Sequence, residues 1–127
     1  MVVDIWALYR RQSEGALPQL NHNQLIPLDD FLPAVAFVAR SLSDENRLRI
    51  LLCVSEAKKS VSGIVEELNL SQPLVSHHLK ELRRALLVKV ERRGPFVYYE
   101  IADARIVAIL AALKDLATDL LAARTTF

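Results

Sequence analysis

A single cysteine in 127 residues leaves no thiol to pair with. An intrachain disulfide is excluded, and the usage fits a reducing cytoplasm. Three glycines are too few for a fold of many tight turns, which sets an all-β architecture aside. No apolar run approaches the ~20 residues of a membrane span. The opening Met-Val-Val-Asp-Ile-Trp lacks the basic-then-apolar layout of a secretory signal, so a cytoplasmic protein without membrane contact is expected. The formal charge is only +1, so any attraction to a polyanion has to come from local clustering. Neither an internal repeat nor a low-complexity segment is found. What is abundant is aliphatic bulk: 52% of residues are hydrophobic but only 6% aromatic. At this length that predicts one domain with a real core, built largely from helices.

Charge does cluster in one place. From Lys80 to Arg93 there are six basic residues and two acidic ones, and the rest of the chain is net acidic. The same region contains the most organised stretch of the sequence, Leu68 to Leu87. Ser71 is placed to cap a helix with Pro73 in its first turn, where no intrahelical N–H is needed. Val75, Leu79, Leu82 and Leu86 recur at four, three and four, an apolar stripe. The opposite face holds Gln72, Ser76, His77, Lys80, Arg83 and Arg84, all hydrogen-bond donors or cations. This reads as the turn and second helix of a helix-turn-helix, with a face suited to the major groove.

The remaining elements follow in order. Asp4 to Gln12 reads as a short helix and Ser13 to Pro27 as an irregular connection, so residues 1–28 form an N-terminal extension. Residues 29–127 form the main domain. Asp29 or Asp30 caps a helix to about Ser41, with Pro33 in its first turn and Val35, Phe37, Val38 and Ala39 supplying bulk. Ser43-Asp44-Glu45 starts a helix to about Ser55 that is apolar nearly all round and therefore central. Lys58-Lys59-Ser60 is a loop, and Val61 to Leu68 a third helix with Ile64, Val65 and Leu68 inward. After Leu87 the period drops to two, and Val88–Arg93 and Phe96–Ile101 flank Gly94-Pro95 as a β-hairpin with Arg92 and Arg93 at its tip. Asp103 caps a last helix to about Arg124. Its stripe of Ile106, Ile109, Leu113, Leu116 and Leu120, widened by Leu110, Ala117 and Leu121, predicts a helix-to-helix dimer seam. The fold class is mostly α with a small hairpin (α+β), a winged helix-turn-helix dimerising through terminal helices.

Three segments make the resemblance specific: Leu42-Ser43-Asp44-Glu45-Asn46-Arg47-Leu48-Arg49-Ile50-Leu51, Leu70 to Leu82 with its Ser76-His77-His78-Leu79 core, and Arg92-Arg93-Gly94-Pro95-Phe96-Val97-Tyr98-Tyr99. In order and spacing they resemble the ArsR (arsenic-repressor) family of bacterial transcriptional regulators over about residues 30–121. The resemblance implies a homodimeric repressor on an imperfect palindrome of double-stranded operator DNA, released by an effector. It puts the recognition positions at Ser71, Gln72, Ser76, His77 and Lys80. Capping alone also explains Ser71, and His77 and His78 are either plain hydrogen-bonding surface residues or a pair of which one has a DNA role, His77 standing among the recognition positions. Leu74 departs from the small or polar residue often found there, and either touches a thymine methyl or packs.

The effector stays open. Arsenic sensors of the family bind through paired thiols on the helix before the turn, where this chain has Ser62 and Val65, so a thiolate-bound metalloid is not expected. The terminal helix region offers Asp103, Asp115 and Asp119 without histidine or cysteine, so no metal and no cofactor is expected. Cys53, on the very apolar second helix, reads as an inert buried thiol, with single-thiol sensing as the other reading. His22 and Asn23 make no site alone. No nucleophile–base pair or phosphate loop suggests an enzyme. The competing function is a winged-helix protein-interaction module without operator specificity.

Overall fold

The computed structural model describes residues 31–124. Those up to Asp103 belong to one compact unit and the terminal helix to another. The first unit runs α1 (Leu32–Ser41), α2 (Glu45–Glu56), α3 (Val61–Leu68), α4 (Gln72–Arg84), β1 (Val88–Arg93) and β2 (Phe96–Ile101). Three of its helices start at side-chain caps. Asp44 accepts from the Arg47 N–H, Ser60 from Gly63 and Ser71 from Leu74, each relieving one unpaired donor of a first turn. Asn69 ends α3 in the left-handed region, which its short polar side chain tolerates.

α1 differs from expectation in two ways. Its N-cap is Phe31, with no side-chain cap bond; Asp29 and Asp30, like the expected Asp4–Gln12 helix and the Ser13–Pro27 connection, lie outside the described residues. None of its residues is buried, and Val35 and Phe37, expected as interior bulk, are about half exposed. The core is filled instead by Ile50, Leu51 and Val54 of α2, Ile64 of α3, and Val75, Leu79 and Leu82 of α4. Burying each of these side chains is worth roughly 1.5–3 kcal/mol. α2 is central, as its nearly continuous apolar surface requires.

α2 also holds its neighbours by their ends. Arg47 donates from Nε to the Ser41 carbonyl at 2.8 Å and from Nη2 to that of Arg40 at 3.1 Å, closing the end of α1. Arg49 donates from Nη2 to the Leu68 carbonyl at 3.0 Å, the last residue of α3. The final carbonyls of a helix lack intrahelical partners and form its negative end, so a guanidinium there answers both needs.

The end of α4 corrects the expected stripe. Leu87 N–H reaches the Leu82 carbonyl and Leu86 N–H that of Arg83, the paired bonds of a Schellman motif. Leu82 and Leu87 are both buried, whereas Leu86 turns to φ +62° and is 80% exposed. The chain therefore leaves the helix one residue before the stripe would have placed Leu86 inward. A left-handed conformation at a residue bearing a Cβ costs about 1–2 kcal/mol. Leu86→Gly, which removes that cost and no packing, is expected to raise stability by about 1 kcal/mol in urea unfolding; an unchanged or lower midpoint would contradict the strain.

β1 and β2 pair antiparallel from Val88↔Ile101 to Arg93↔Phe96. Between them Gly94 takes φ +60° while the Pro95 ring fixes a negative φ, the sign pattern of a type II′ turn. Lys59, read from sequence as loop, makes an isolated antiparallel bridge to β2: its N–H bonds the Tyr99 carbonyl at 3.0 Å and its carbonyl accepts from the Tyr99 N–H at 2.8 Å. In the second unit, α5 (Arg105–Arg124) begins two residues past the expected cap, Asp103. Ile106 and Val107 are buried, while Ile109, Leu113, Leu116, Leu120 and Leu121 are about half exposed or more. Among the described residues no helix is long and apolar enough to cross a membrane.

Candidate nucleic-acid interface

With Val75, Leu79 and Leu82 turned into the core, the other side of α4 is fixed outward. Gln72, Ser76 and Lys80 recur every fourth residue there, His77 lies beside them, and all four are exposed, as is Ser71. Every residue named as a recognition position is thus on one accessible face. The Ser71 Oγ is engaged as acceptor of the Leu74 N–H at 3.3 Å, which leaves its hydroxyl hydrogen for a further contact. Leu74 is half buried at the margin of this face. Arg84 pairs with Glu81 at 3.3 Å, but Lys80, Arg83 and Arg92 have no ion-pair partner among the described residues.

The two histidines separate cleanly. His77 is exposed, whereas His78 is 6% exposed and points at α2. The His78 Nε2 lies 3.7 Å from Asp44 Oδ1, and its Nδ1 is buried without a hydrogen-bond partner. Burial pulls the His78 pKa below its ordinary value despite the opposing attraction of Asp44, which keeps the ring neutral near pH 7. Asp44 is itself held acidic, mainly by the Arg47 N–H. His78 therefore packs α4 on the cap of α2, and of the pair only His77 is available to a ligand.

The tip of the hairpin is less uniformly cationic than its sequence. Arg93 Nε lies 3.0 Å from Glu91 Oε1, and Glu91 also pairs with Lys58. These two cations, Lys58 first, hold the Glu91 carboxyl below its ordinary pKa. Arg92 points to the other side of the strand and has no ion-pair partner among the described residues. The Glu91–Arg93 contact went unread in the sequence, although residues two apart on a strand share a face.

Cys53 is buried, and its thiol donates to Glu67 Oε2 at 3.1 Å. Burial and this bond push its pKa up to about 11, so the reactive thiolate is scarce near neutral pH. Glu67 is held in turn by Lys59. This environment favours the inert reading of Cys53 over the sensor one. Ser62 is exposed and Val65 half buried on α3. Among the described residues no group of three or more His, Cys, Asp or Glu could hold a metal ion.

A helix whose inner face is locked and whose outer face bears donors, preceded by a short helix and turn and followed by a basic hairpin, defines the winged helix-turn-helix class of DNA-binding proteins. Residues 44–90 match the bacterial regulatory protein, arsR family. An HTH-type transcriptional regulator of Methanocaldococcus jannaschii is 34% identical over 82 residues, which cover 64% of this chain and 92% of that protein. The chain belongs to the arsR family of bacterial transcriptional regulators. The HTH-type transcriptional repressor SmtB of Mycobacterium tuberculosis is 37% identical over 84 residues, 66% of this chain; the match spans 62% of that relative, less than two thirds of its length. Among solved structures, the homodimeric winged helix-turn-helix DNA-binding domain of a possible ArsR-family regulator from Mycobacterium bovis is similar with a TM-score of 0.62. It is 25% identical, and the alignment covers 82% of this chain and 93% of that one.

Proposed function

We propose that this chain is a cytoplasmic, homodimeric repressor that binds an imperfect palindrome in double-stranded DNA. The observation that carries this reading is the exposed row of Gln72, Ser76, His77 and Lys80 on a helix whose other face cannot turn away. Gln72 has the two-point geometry that matches adenine, Ser76 and His77 offer adaptable hydrogen bonds, and Lys80, Arg92 and Arg93 supply charge for phosphates. Repression is taken from named relatives such as SmtB.

The dimer is read from α5. Ile109, Leu113, Leu116 and Leu120 are apolar and about half exposed or more. Ile106, buried already, adds little to the seam. Residues 29–127 are the regulator domain in this reading and 1–28 an extension to it. The effector is not a thiolate-bound metalloid, since Ser62 and Val65 stand at the thiol positions and Cys53 is alone.

A mobility-shift assay on the DNA upstream of the protein's own gene tests the reading. The wild type is expected to prefer that DNA to a scrambled duplex. Gln72→Ala with His77→Ala is expected to lose about 1–3 kcal/mol of that discrimination while non-specific binding persists. A wild-type protein with no preference for its upstream DNA at low salt would overturn the proposal.

A further inference from the structure

We propose that Phe96 is a minor-groove wedge, which inserts its ring between base pairs flanking the half-site and makes the protein sensitive to how easily that step unstacks. The inference rests on the DNA-binding reading above and names a specificity residue beyond it.

Three features of the tip converge on this role. The first is exposure: Phe96 is 59% exposed, while Val97, Tyr98, Tyr99 and Ile101 of the same strand are half buried. An aromatic ring left in water forgoes a large part of its burial energy, and here it sits at the outermost paired position of the hairpin, opposite Arg93. The second is its mount. The ring follows a two-residue turn stiffened by Pro95, and it leans on Tyr98 with ring centroids 6.4 Å apart and planes tilted by 43°. Such a ring is propped in place and loses little freedom on insertion.

The third is charge. Arg92 has no ion-pair partner among the described residues, and Glu91, the acid nearest the tip, is neutralised by Lys58 and Arg93. An apolar ring in a positive field fits one surface in particular, the narrow, strongly negative minor groove of A·T-rich DNA. Apolar wedges in that groove partly unstack a base step and kink the duplex. The energetic demand is smallest at pyrimidine–purine steps such as TA, so a wedge reads sequence without a base-specific hydrogen bond.

The test uses upstream DNA fragments with 2-aminopurine at successive positions outside each half-site, bound by wild type, Phe96→Ala and Phe96→Leu, together with a circular-permutation bending assay. Wild type is expected to raise the fluorescence several-fold at one flanking step, bend the fragment, and bind a TA step there about tenfold better than an AA step. Phe96→Ala should lose all three effects while its affinity keeps the same salt slope, because no charge is removed. Phe96→Leu, still an apolar wedge, should keep most of them. A Phe96→Ala protein that unstacks, bends and discriminates like wild type overturns the wedge, as does a wild type that binds without raising fluorescence at any flanking step. Both results leave the repressor reading standing. Failure of the wild type to select its upstream DNA is a different outcome, which removes that reading and the wedge together.

Discussion

Glutamate in place of both Leu113 and Leu116 is expected to leave the protein monomeric in sedimentation and to lower its affinity for a two-half-site operator by roughly a hundredfold or more. The first effect follows from chemistry on α5. Both leucines are about half exposed in the single chain, so each has on the order of 1 kcal/mol still to gain from a second copy. Two glutamates per chain put four carboxylates into one apolar seam, and burying an unpaired charge costs several kcal/mol. The second effect follows from geometry. In a dimer, one bound half-site holds the second recognition helix near its own target, an effective concentration that multiplies affinity by ~10²–10⁴. A monomer loses that factor with α4 untouched. Because neither residue is buried, the variant should fold, and unchanged helical circular dichroism would confirm it. A dimer of undiminished stability would show that the seam lies elsewhere.

Removing the wing cations should act differently. Arg92→Ala with Arg93→Ala is expected to weaken binding to operator and scrambled DNA alike, by roughly tenfold to a hundredfold at moderate salt, and to flatten the salt dependence. Each phosphate contact contributes about 0.9 to the slope of log affinity against log salt. The two arginines should not contribute equally. Arg93 already spends part of its charge on Glu91, 3.0 Å away, while Arg92 is unpaired among the described residues. The single Arg92→Ala variant should therefore account for most of the slope change. Titrations at several salt concentrations on both duplexes measure this directly. A loss confined to operator DNA would contradict a phosphate role, and equal slopes in wild type and double variant would remove the wing from the interface.

Local chemistry made most of this molecule readable from its residues. Asp44, Ser60 and Ser71 each begin a helix by a bond that reaches only three residues along the chain. Gly94-Pro95 sets the hairpin turn in the same local way. The accessible face of α4 was legible because 3.6-residue periodicity fixes its opposite side once Val75, Leu79 and Leu82 go inward. Less was legible where tertiary structure decides. His77 and His78 are neighbours in sequence; position 78, three residues after Val75 and beside Leu79, falls on the buried side, but what a polar ring meets there, Asp44 at the cap of α2, is set across the fold. Leu86 continues the stripe in spacing, but the Schellman turn removes it, and a leucine gives none of the warning a glycine would. α1 is apolar enough to read as core, yet a helix pattern does not say that Val35 and Phe37 end about half exposed. Lys59 in isolation has no alternation to mark it as a bridge to β2.

The arginine clasps on α2 have a consequence for change over evolutionary time. Arg47 and Arg49 grip carbonyl oxygens of Arg40, Ser41 and Leu68, atoms every residue possesses. Neither clasp inspects the side chains of the helix it holds. α1 and α3 are thus free to exchange residues while remaining tethered to the same chassis. A lineage can replace Ser62 or Val65 without renegotiating how those helices are fastened. What the surfaces of α1 and α3 carry and how those helices are fastened are in this respect separable inheritances.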